Sequence, residues 1–353
     1  MSYYCTFMKY QMMVDLKQKG NNRYAPCCHF GEDIELKDFE TKTSDYLDRL
    51  VKGEKLEQCT HCWSREDMGL PSVRTGDPEW KPSDSQDGIR ILDIRIHNKC
   101  NLACTMCYSG ASNLWGKLEG KDTFRKISDG ELEFLKNTTL NVERISFQGG
   151  EPFYGSEYDD FLMSLDNKKN ISVDVFTNLI SAKPSVIQRW KDELKLLTIN
   201  ASVDGYGEVY DSIRWPTTWG KWEKSAKAIY KIVDSRMAYF WVIQAENVYN
   251  LFDFIKWRDK NTPKSRIVLT TLAGGSDLLG LESISQEDKD KFFSHYEVYS
   301  KNEYDINWFG PEIDTIEKIK NIVKDVEPNE TKITEKNNRL RDIKLLREKY
   351  IQS

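Results

Sequence analysis

The stretch Cys100-Asn101-Leu102-Ala103-Cys104-Thr105-Met106-Cys107 decides how this chain is organised. It carries three thiols at C-x3-C-x2-C spacing, directly after a strand-like run at 91–97, Ile-Leu-Asp-Ile-Arg-Ile-His. Thiols this close on one loop converge on one metal centre. Three protein ligands leave a fourth position open, as a catalytic metal site requires. We call residues 100–107 the cysteine loop.

Two simpler interpretations of the cysteine loop stay open. The three thiols could bind zinc, with His97 or Cys62 as the fourth ligand. They could also be unligated and buried, since cysteine packs as a small hydrophobe. Three thiols within eight residues favour a metal over simple burial.

The composition describes a soluble chain of one large domain and a smaller one. It has 353 residues, of which 39% are hydrophobic, and a net charge of −5. The acidic balance argues against a nucleic-acid partner. The start, Met1-Ser2-Tyr3-Tyr4-Cys5, shows no signal-peptide pattern, and no apolar run is long enough to cross a bilayer. We therefore expect a cytoplasmic protein with no membrane partner.

All eight cysteines lie in the first 107 residues, and five of them precede the cysteine loop. These five, here called the N-terminal thiols, are Cys5, Cys27, Cys28, Cys59 and Cys62. In a cytosolic chain such groupings are typical of metal ligands rather than disulfides. Four thiols would complete a second metal site and leave one spare. A structural zinc site, with His61 able to replace Cys5, is the alternative.

The residue pattern divides the chain into four predicted parts. They are a cysteine-rich module at 1–80, a linker at 81–88, a core at 89–275 and a helical extension at 276–353. In the core, six strand patterns alternate with helical ones. The predicted strands are 91–97, 144–148, 171–178, 196–204, 238–245 and 266–271. Such alternation predicts a parallel sheet with chemistry at the carboxyl ends of its strands.

Several strand ends carry polar residues. Gln148-Gly149-Gly150-Glu151-Pro152 follows the second strand, and its two glycines let a ligand approach the backbone closely. Asn178 ends the third strand, while Ser202 and Asp204 end the fourth. Arg214 lies beyond the fourth strand, and a guanidinium can hold a carboxylate through two hydrogen bonds. The alternatives are a polar residue that ends a strand or caps a helix, and a structural arginine–acid pair.

The thiol spacing together with Gly149-Gly150-Glu151-Pro152 resembles the radical S-adenosylmethionine (SAM) enzymes. The resemblance implies a partial (β/α)6 TIM-like barrel and a [4Fe–4S] cluster on Cys100, Cys104 and Cys107, with SAM on the fourth iron. That family usually has an aromatic residue before the third cysteine. Here Met106 takes that place, so either Met106 fills the same apolar space or Tyr108 contacts the adenine instead. The implied SAM-binding residues are Tyr108, Gln148, Gly149, Gly150, Glu151, Asn178, Ser202, Asp204 and Arg214.

The segment from Cys59 to Arg74 resembles the cysteine-rich part of twitch and SPASM-type radical SAM proteins, although here it precedes the core. Its matching residues are Cys59, Cys62, Glu66, Gly69 and Ser72-Val73-Arg74. The resemblance implies an auxiliary [4Fe–4S] cluster, for which we expect Cys5, Cys27, Cys59 and Cys62 as ligands. The choice of Cys27 over Cys28 is open. If Cys28 is the spare thiol, it is a candidate acid or hydrogen donor.

The expected function follows from these resemblances. We expect reductive cleavage of SAM and hydrogen abstraction from a substrate, which we expect to be a peptide or protein. An external donor such as flavodoxin or ferredoxin would supply the electron. A small-molecule substrate such as a nucleotide or sugar is the alternative within this class. A zinc-stabilised binding protein without activity is the alternative from another class.

Overall fold

The computed structural model describes residues 3–16, 22–67, 69, 72–76, 88–271, 279–301 and 310–352. Eight strands within these ranges belong to one sheet, in the order β2-β1-β3-β4-β5-β6-β7-β8. They are β1 (Gln11–Asp15), β2 (Arg23–Ala25), β3 (Ile91–Arg95), β4 (Arg144–Phe147), β5 (Ser172–Thr177), β6 (Leu196–Ser202), β7 (Met237–Ile243) and β8 (Arg266–Thr271).

The pairings explain why these strands read as apolar runs. β1 pairs antiparallel with β2, whereas β1 with β3, β3 with β4, β4 with β5, β6 with β7 and β7 with β8 are parallel. Val14 lies opposite Ile94, and Ile94 lies opposite Phe147. All three side chains are fully buried. A parallel sheet covered on both faces selects such continuous apolar strands.

The helices occupy the connections that parallel strands require. Within the described ranges they are α1 (Thr6–Tyr10), α2 (Phe39–Val51), α3 (Thr60–Asp67), α4 (Val73–Gly76), α5 (Asn113–Leu118), α6 (Asp129–Thr138), α7 (Glu157–Met163), α8 (Pro184–Glu193), α9 (Glu208–Ile213), α10 (Trp219–Val233), α11 (Leu251–Asn261), α12 (Gln286–Lys301), α13 (Gly310–Asp325) and α14 (Glu330–Gln352). Local signals fix their starts. Ser128 and Glu131, for example, form a capping box at the start of α6.

The chain forms two compact units. The first contains residues 1–99, 123–176 and 189–197. Its aromatic core includes Phe147, whose ring meets Tyr158 at 5.0 Å and Trp190 at 5.9 Å between centroids.

The second unit contains residues 100–122, 177–188 and 198–353. Trp222 is fully buried at its centre and lies 5.7 Å from the ring of Tyr239 and 5.6 Å from that of Trp257.

The predicted core elements are confirmed. All six predicted strands form, with ends within two residues of the expected ones. The described part of the extension at 276–353 consists mainly of the helices α12, α13 and α14. At the start of α12 the Ser285 Oγ accepts the Asp288 N–H at 3.1 Å. In α13 the side chains of Ile316, Ile319 and Val323, spaced three or four residues apart, are buried. No described helix combines the length and apolar character needed to cross a membrane.

The N-terminal part contains two strands that sequence reasoning missed. Arg23 and Tyr24 belong to β2, although the glycine and asparagines directly before them in the sequence are typical of a turn. Gly20 and Asn21 lie outside the described residues, as does the predicted linker apart from Gly88. β1 is buried along its whole length, so it shows no alternating pattern to find. The predicted domain boundaries stay a prediction.

Candidate metal and cofactor sites

The cysteine loop is held by its own backbone in the second unit. The Ala103 N–H donates to the Trp215 carbonyl at 2.8 Å, and the Thr105 N–H donates to the Ile213 carbonyl at 2.9 Å. Buried backbone donors need such partners, so these two bonds fix the path of the loop. The three thiols therefore project from a defined stretch of chain.

Cys100 receives N–H donors on its sulfur. The Leu102 N–H lies 3.5 Å from the Cys100 Sγ, and the Asn178 Nδ2 lies 4.0 Å from the same atom. The Cys100 backbone N–H itself donates to the Asn113 Oδ1 at 2.9 Å. Donors aimed at a sulfur favour its thiolate, which is the form that binds metal.

Cys104 is buried and lies among charged groups. Burial raises the pKa of the Cys104 thiol, and the Arg214 guanidinium acts against that rise. Asp204 raises the same pKa, whereas Arg347 lowers it. Cys107 is half-buried and packs against a small apolar cluster that contains Ala103.

These features fit a cluster ligated by three cysteines. The loop offers three sulfurs, N–H donors to one of them and positive charge near another. Within the described residues, no three His, Cys, Asp or Glu side chains have the arrangement of a preformed metal site. The ligand assignment to Cys100, Cys104 and Cys107 therefore remains a prediction from spacing and loop contacts.

The glycine turn lies in the first unit and requires its glycine. Gly150 has φ +54°, and a Cβ there would lie 2.4 Å from the Lys99 carbonyl oxygen. The next residue, Glu151, donates its N–H to that same carbonyl at 2.8 Å. Only glycine fits this close approach. Lys99 directly precedes Cys100 in the sequence.

Glu151 itself is buried, and the Phe153 N–H donates to its Oε1 at 3.1 Å. Tyr158 supports the same turn, because its hydroxyl donates to the Gln148 carbonyl at 2.6 Å and accepts the Ile96 N–H at 3.0 Å. The ends of β3 and β4 are thereby held by one side chain.

The Gln148 side chain contacts polar groups that sequence reasoning missed. Its Nε2 donates to the Asp93 Oδ2 at 3.1 Å, and its Oε1 accepts the Arg95 Nη2 at 3.4 Å. The Arg95 Nη1 lies 3.5 Å from the Asp15 Oδ2. The available signal was the alternating polar pair at 93 and 95 in a strand that is otherwise apolar, since such residues are costly to bury without a role.

The remaining predicted SAM contacts lie in the second unit. The Asn178 Nδ2 donates to the Asn101 Oδ1 at 2.8 Å, which links the end of β5 to the cysteine loop. The Ser202 carbonyl accepts the Trp222 Nε1–H at 3.2 Å. Tyr108 is 54% exposed, so its predicted contact with adenine stays a prediction.

Asp204 and Arg214 form a buried ion pair. The Arg214 Nε donates to the Asp204 Oδ2 at 2.9 Å, and the Asp204 Oδ1 accepts the Val242 N–H at 2.6 Å. This is the arginine–acid pair that the sequence left open as the alternative. The predicted roles of Asp204 and Arg214 toward SAM remain predictions.

The N-terminal thiols lie in the first unit, and no disulfide joins any of the eight cysteines, all of which are described. Burial raises the pKa of Cys5, of Cys27 and of Cys59, the last to about 12. Neighbouring thiols add to each rise: Cys62 acts on Cys5, Cys28 and Cys5 act on Cys27, and Cys5 acts on Cys59. The N-terminal thiols therefore influence one another's pKa values.

Cys28 has different main neighbours from Cys27. Burial raises the pKa of Cys28 to about 12, and the next largest influences are Asp93 and Arg95. For Cys27 the corresponding influences are Cys28 and Cys5. Cys62 acts on both thiols, so the choice between Cys27 and Cys28 stays open.

The motif after Cys62 forms a connected network. The Ser72 Oγ donates to the Glu66 Oε1 at 2.6 Å, and Arg74 pairs with the same carboxylate. The Arg74 guanidinium lies 5.0 Å from the centre of the Trp63 ring. Arg74 also lowers the pKa of Cys59 against the larger effect of burial. The three matching residues thus act together beside the N-terminal thiols.

His97 and His61, the two histidines considered as zinc ligands, each lie next to other side chains. The His97 Nδ1 accepts the Lys99 N–H at 3.3 Å, and its Nε2 lies 3.6 Å from the Glu157 carboxylate. His61 stacks on His29 with 3.9 Å between ring centroids. His97 has both ring nitrogens facing other groups, which argues against it as a zinc ligand.

Comparison with known proteins finds one protein family whose model matches part of this chain. Residues 94–246 match the Radical SAM superfamily. A probable GTP 3′,8-cyclase of Methanocella arvoryzae is 25% identical over 251 residues, which cover 66% of this chain and 75% of that protein. An uncharacterized protein of Methanocaldococcus jannaschii is 26% identical over 133 residues, 36% of this chain and 43% of its own length. The chain thus spans less than half of that second relative.

Solved structures show weaker likeness. The anSMEcpe structure with bound AdoMet has a TM-score of 0.45 and 20% identity, over 60% of this chain and 59% of that one. Streptococcus suis SuiB has a TM-score of 0.43 and 14% identity, over 84% and 70%. Scores below 0.5 carry no argument about substrate or reaction. The match to the Radical SAM superfamily over residues 94–246 does not depend on these structures.

Proposed function

We propose that this chain is a radical SAM enzyme in which Cys100, Cys104 and Cys107 hold the [4Fe–4S] cluster. The observation that carries the proposal is the cysteine loop, whose backbone is fixed by Trp215 and Ile213 and whose first sulfur faces N–H donors. A loop whose backbone is fixed in this way limits the positions that its three cysteines can take. When bound, the cluster supplies the electron that cleaves SAM to methionine and a 5′-deoxyadenosyl radical, which abstracts hydrogen from the substrate.

The chain's own residues position SAM. The Gly149-Gly150 turn leaves no side chain between the ligand and the backbone, and the buried Glu151 supplies a carboxylate for an ammonium group. Asn178 is tied to Asn101 within the cysteine loop, so it orients that loop as well as any ligand near it.

The N-terminal thiols are proposed to hold an auxiliary [4Fe–4S] cluster through Cys5, Cys27, Cys59 and Cys62. Their mutual influence on pKa and the Glu66–Arg74 pair beside them support one metal centre. The role proposed for this centre is to pass an electron to or from the substrate.

A peptide or protein is the proposed substrate, because the Cys59–Arg74 segment resembles that of twitch and SPASM-type enzymes, which modify peptides. A nucleotide is the second candidate. It is favoured by the relative named a probable GTP 3′,8-cyclase, whose match covers 66% of this chain.

The first experiment measures iron and acid-labile sulfide per chain after anaerobic reconstitution. Wild type is compared with a Cys100→Ala/Cys104→Ala/Cys107→Ala variant. We expect about eight irons, falling to about four in the variant, together with loss of 5′-deoxyadenosine formation from SAM under a strong reductant. If wild type binds about four irons, the variant binds none and both retain zinc, the radical SAM proposal stands and the proposal of an auxiliary cluster is overturned. No iron in either protein would overturn the proposal.

A second experiment separates the two substrate classes. Formation of 5′-deoxyadenosine is measured with GTP and with a pool of synthetic peptides, and each mixture is searched for mass changes. A faster rate and a mass change with peptides alone is the expected result. Consumption of GTP would make the nucleotide the substrate.

A further inference from the structure

The C-terminal helix α14 covers the cysteine loop with one of its faces. Ile343 belongs to the buried apolar cluster that contains Ala103 and Trp115, and Leu346 packs against it. The Tyr350 ring lies 6.2 Å from that of Trp215. These helix positions recur every three or four residues, so they share one face.

Arg347 lies on the same face and bonds directly to the loop. Its Nη2 donates to the Ala103 carbonyl at 2.7 Å, and its Nη1 donates to the Ser212 carbonyl at 2.9 Å. Its guanidinium lies 5.4 Å from the centre of the Trp215 ring. The residue therefore connects the loop, the end of α9 and the aromatic side chain that follows it.

Two guanidinium groups act on Cys104, and they differ in how far their charge is balanced. Arg214 pairs with Asp204, a carboxylate with no exposed surface. The hydrogen bonds of Arg347 go to two carbonyl groups, which carry no net charge. Glu246 also acts on Arg347 as a charge, and burial raises the pKa of Glu246 itself. Among the described residues, Arg347 is therefore the guanidinium that acts on Cys104 without forming an ion pair with a carboxylate.

We propose that Arg347 is a positioning residue that balances the charge of the Cys104 ligand and raises the reduction potential of the cluster on the cysteine loop. The inference rests on the proposed function, because it requires a cluster on that loop. Reduction adds a negative charge to the centre, and a nearby fixed positive charge stabilises the reduced state. Partial burial of Arg347 strengthens the effect, since water screens it less.

The test is a potentiometric titration of the full, anaerobically reconstituted chain, followed by electron paramagnetic resonance. The signal to follow is that of the reduced cluster that changes when SAM is added, because a fully ligated auxiliary cluster has no site for SAM. Wild type is compared with Arg347→Gln, Arg347→Met and Arg347→Lys. Arg341→Gln is the matched control, since it removes the same charge from an exposed position on the same helix.

We expect both neutral variants to shift the midpoint to more negative potential, Arg347→Lys to stay near wild type and Arg341→Gln to leave it unchanged. Unchanged midpoints in the neutral variants, with the cluster present, would overturn the inference alone. No SAM-sensitive cluster in wild type would overturn the proposed function instead.

If both neutral variants fail to hold the cluster, the lysine variant decides. A purely structural role needs both donor groups of the guanidinium, so it predicts that Arg347→Lys loses the cluster too. The charge role predicts that Arg347→Lys keeps the cluster with a midpoint near that of wild type.

Discussion

The two groups of thiols in this chain are built in opposite ways. The cysteine loop gathers three cysteines from eight consecutive residues, and backbone hydrogen bonds hold it. The N-terminal thiols come from three separate segments. Cys5 directly precedes α1, Cys27 and Cys28 follow β2, and Cys59 and Cys62 lie around the start of α3. Their proximity depends on the fold of the whole first unit. The comparison teaches that a local site can be read from spacing, whereas a dispersed one needs the tertiary structure.

The largest expected effect tests the dispersed group with a matched pair of neighbours. Cys27→Ala is expected to lower iron from about eight to about four per chain, while Cys28→Ala keeps about eight. The reason is that Cys5 is among the main influences on Cys27, whereas Asp93 and Arg95 influence Cys28. Iron and sulfide analysis after anaerobic reconstitution gives the answer. Loss of iron in Cys28→Ala alone would make Cys28 the cluster ligand and Cys27 the spare thiol.

The next effect concerns the charge pair beside the cysteine loop. Asp204→Asn is expected to lower the free energy of unfolding by about 3–5 kcal/mol, because it leaves the buried Arg214 without a counter-charge. Asparagine suits the backbone there, since Asp204 has φ +53° and asparagine tolerates that region. Urea unfolding of both proteins measures the change.

Glu287→Gln is the control for this variant. It removes a carboxylate from an exposed pair with Lys291 in the same unit, and a much smaller change is expected. Equal effects of the two substitutions would mean that Arg214 finds another partner in the variant.

The sequence predicted the parts of the molecule whose signals are local. The six core strands, the cysteine loop and the Gly149-Gly150 turn each carry their pattern within a few residues, and the strands were placed to within two residues. Gly150 is required in the turn because a Cβ there would meet the Lys99 backbone. The sequence shows the glycine itself, so the turn could be predicted without knowledge of that contact.

The parts that could not be predicted depend on contacts between distant residues. Arg347 lies 244 positions from Ala103, and no spacing rule connects them. Asp15 meets Arg95 only because β1 pairs with β3, and β1 was missed since its buried run has no alternation. Asp204 and Arg214 were found, but their pairing with each other could only be left open as one alternative.

A third prediction asks how far the local site depends on a distant helix. Ile343→Ala is expected to lower the free energy of unfolding by about 2–4 kcal/mol and to speed loss of iron from the cysteine loop, because Ile343 fills the cluster around Ala103 and Trp115. Leu345→Ala on the same helix removes an exposed side chain and is the control. Iron release to a chelator and urea unfolding report the two effects. Identical release rates in both variants would show that the loop holds its cluster without α14.

The smallest effect concerns the turn that binds SAM in the proposal, and here two glycines of the first unit form the matched pair. Gly150→Ala is expected to lower the free energy of unfolding by about 1–3 kcal/mol, since its Cβ would meet backbone atoms at a positive φ. Gly130→Ala meets nothing within 4 Å near the start of α6 and is expected to raise stability by about 0.5 kcal/mol. Calorimetry adds the functional comparison, in which Gly150→Ala weakens SAM binding and Gly130→Ala leaves it unchanged. Unaltered SAM binding in a folded Gly150→Ala protein would remove the turn from the proposed SAM site and leave the thiols of the cysteine loop as its remaining support.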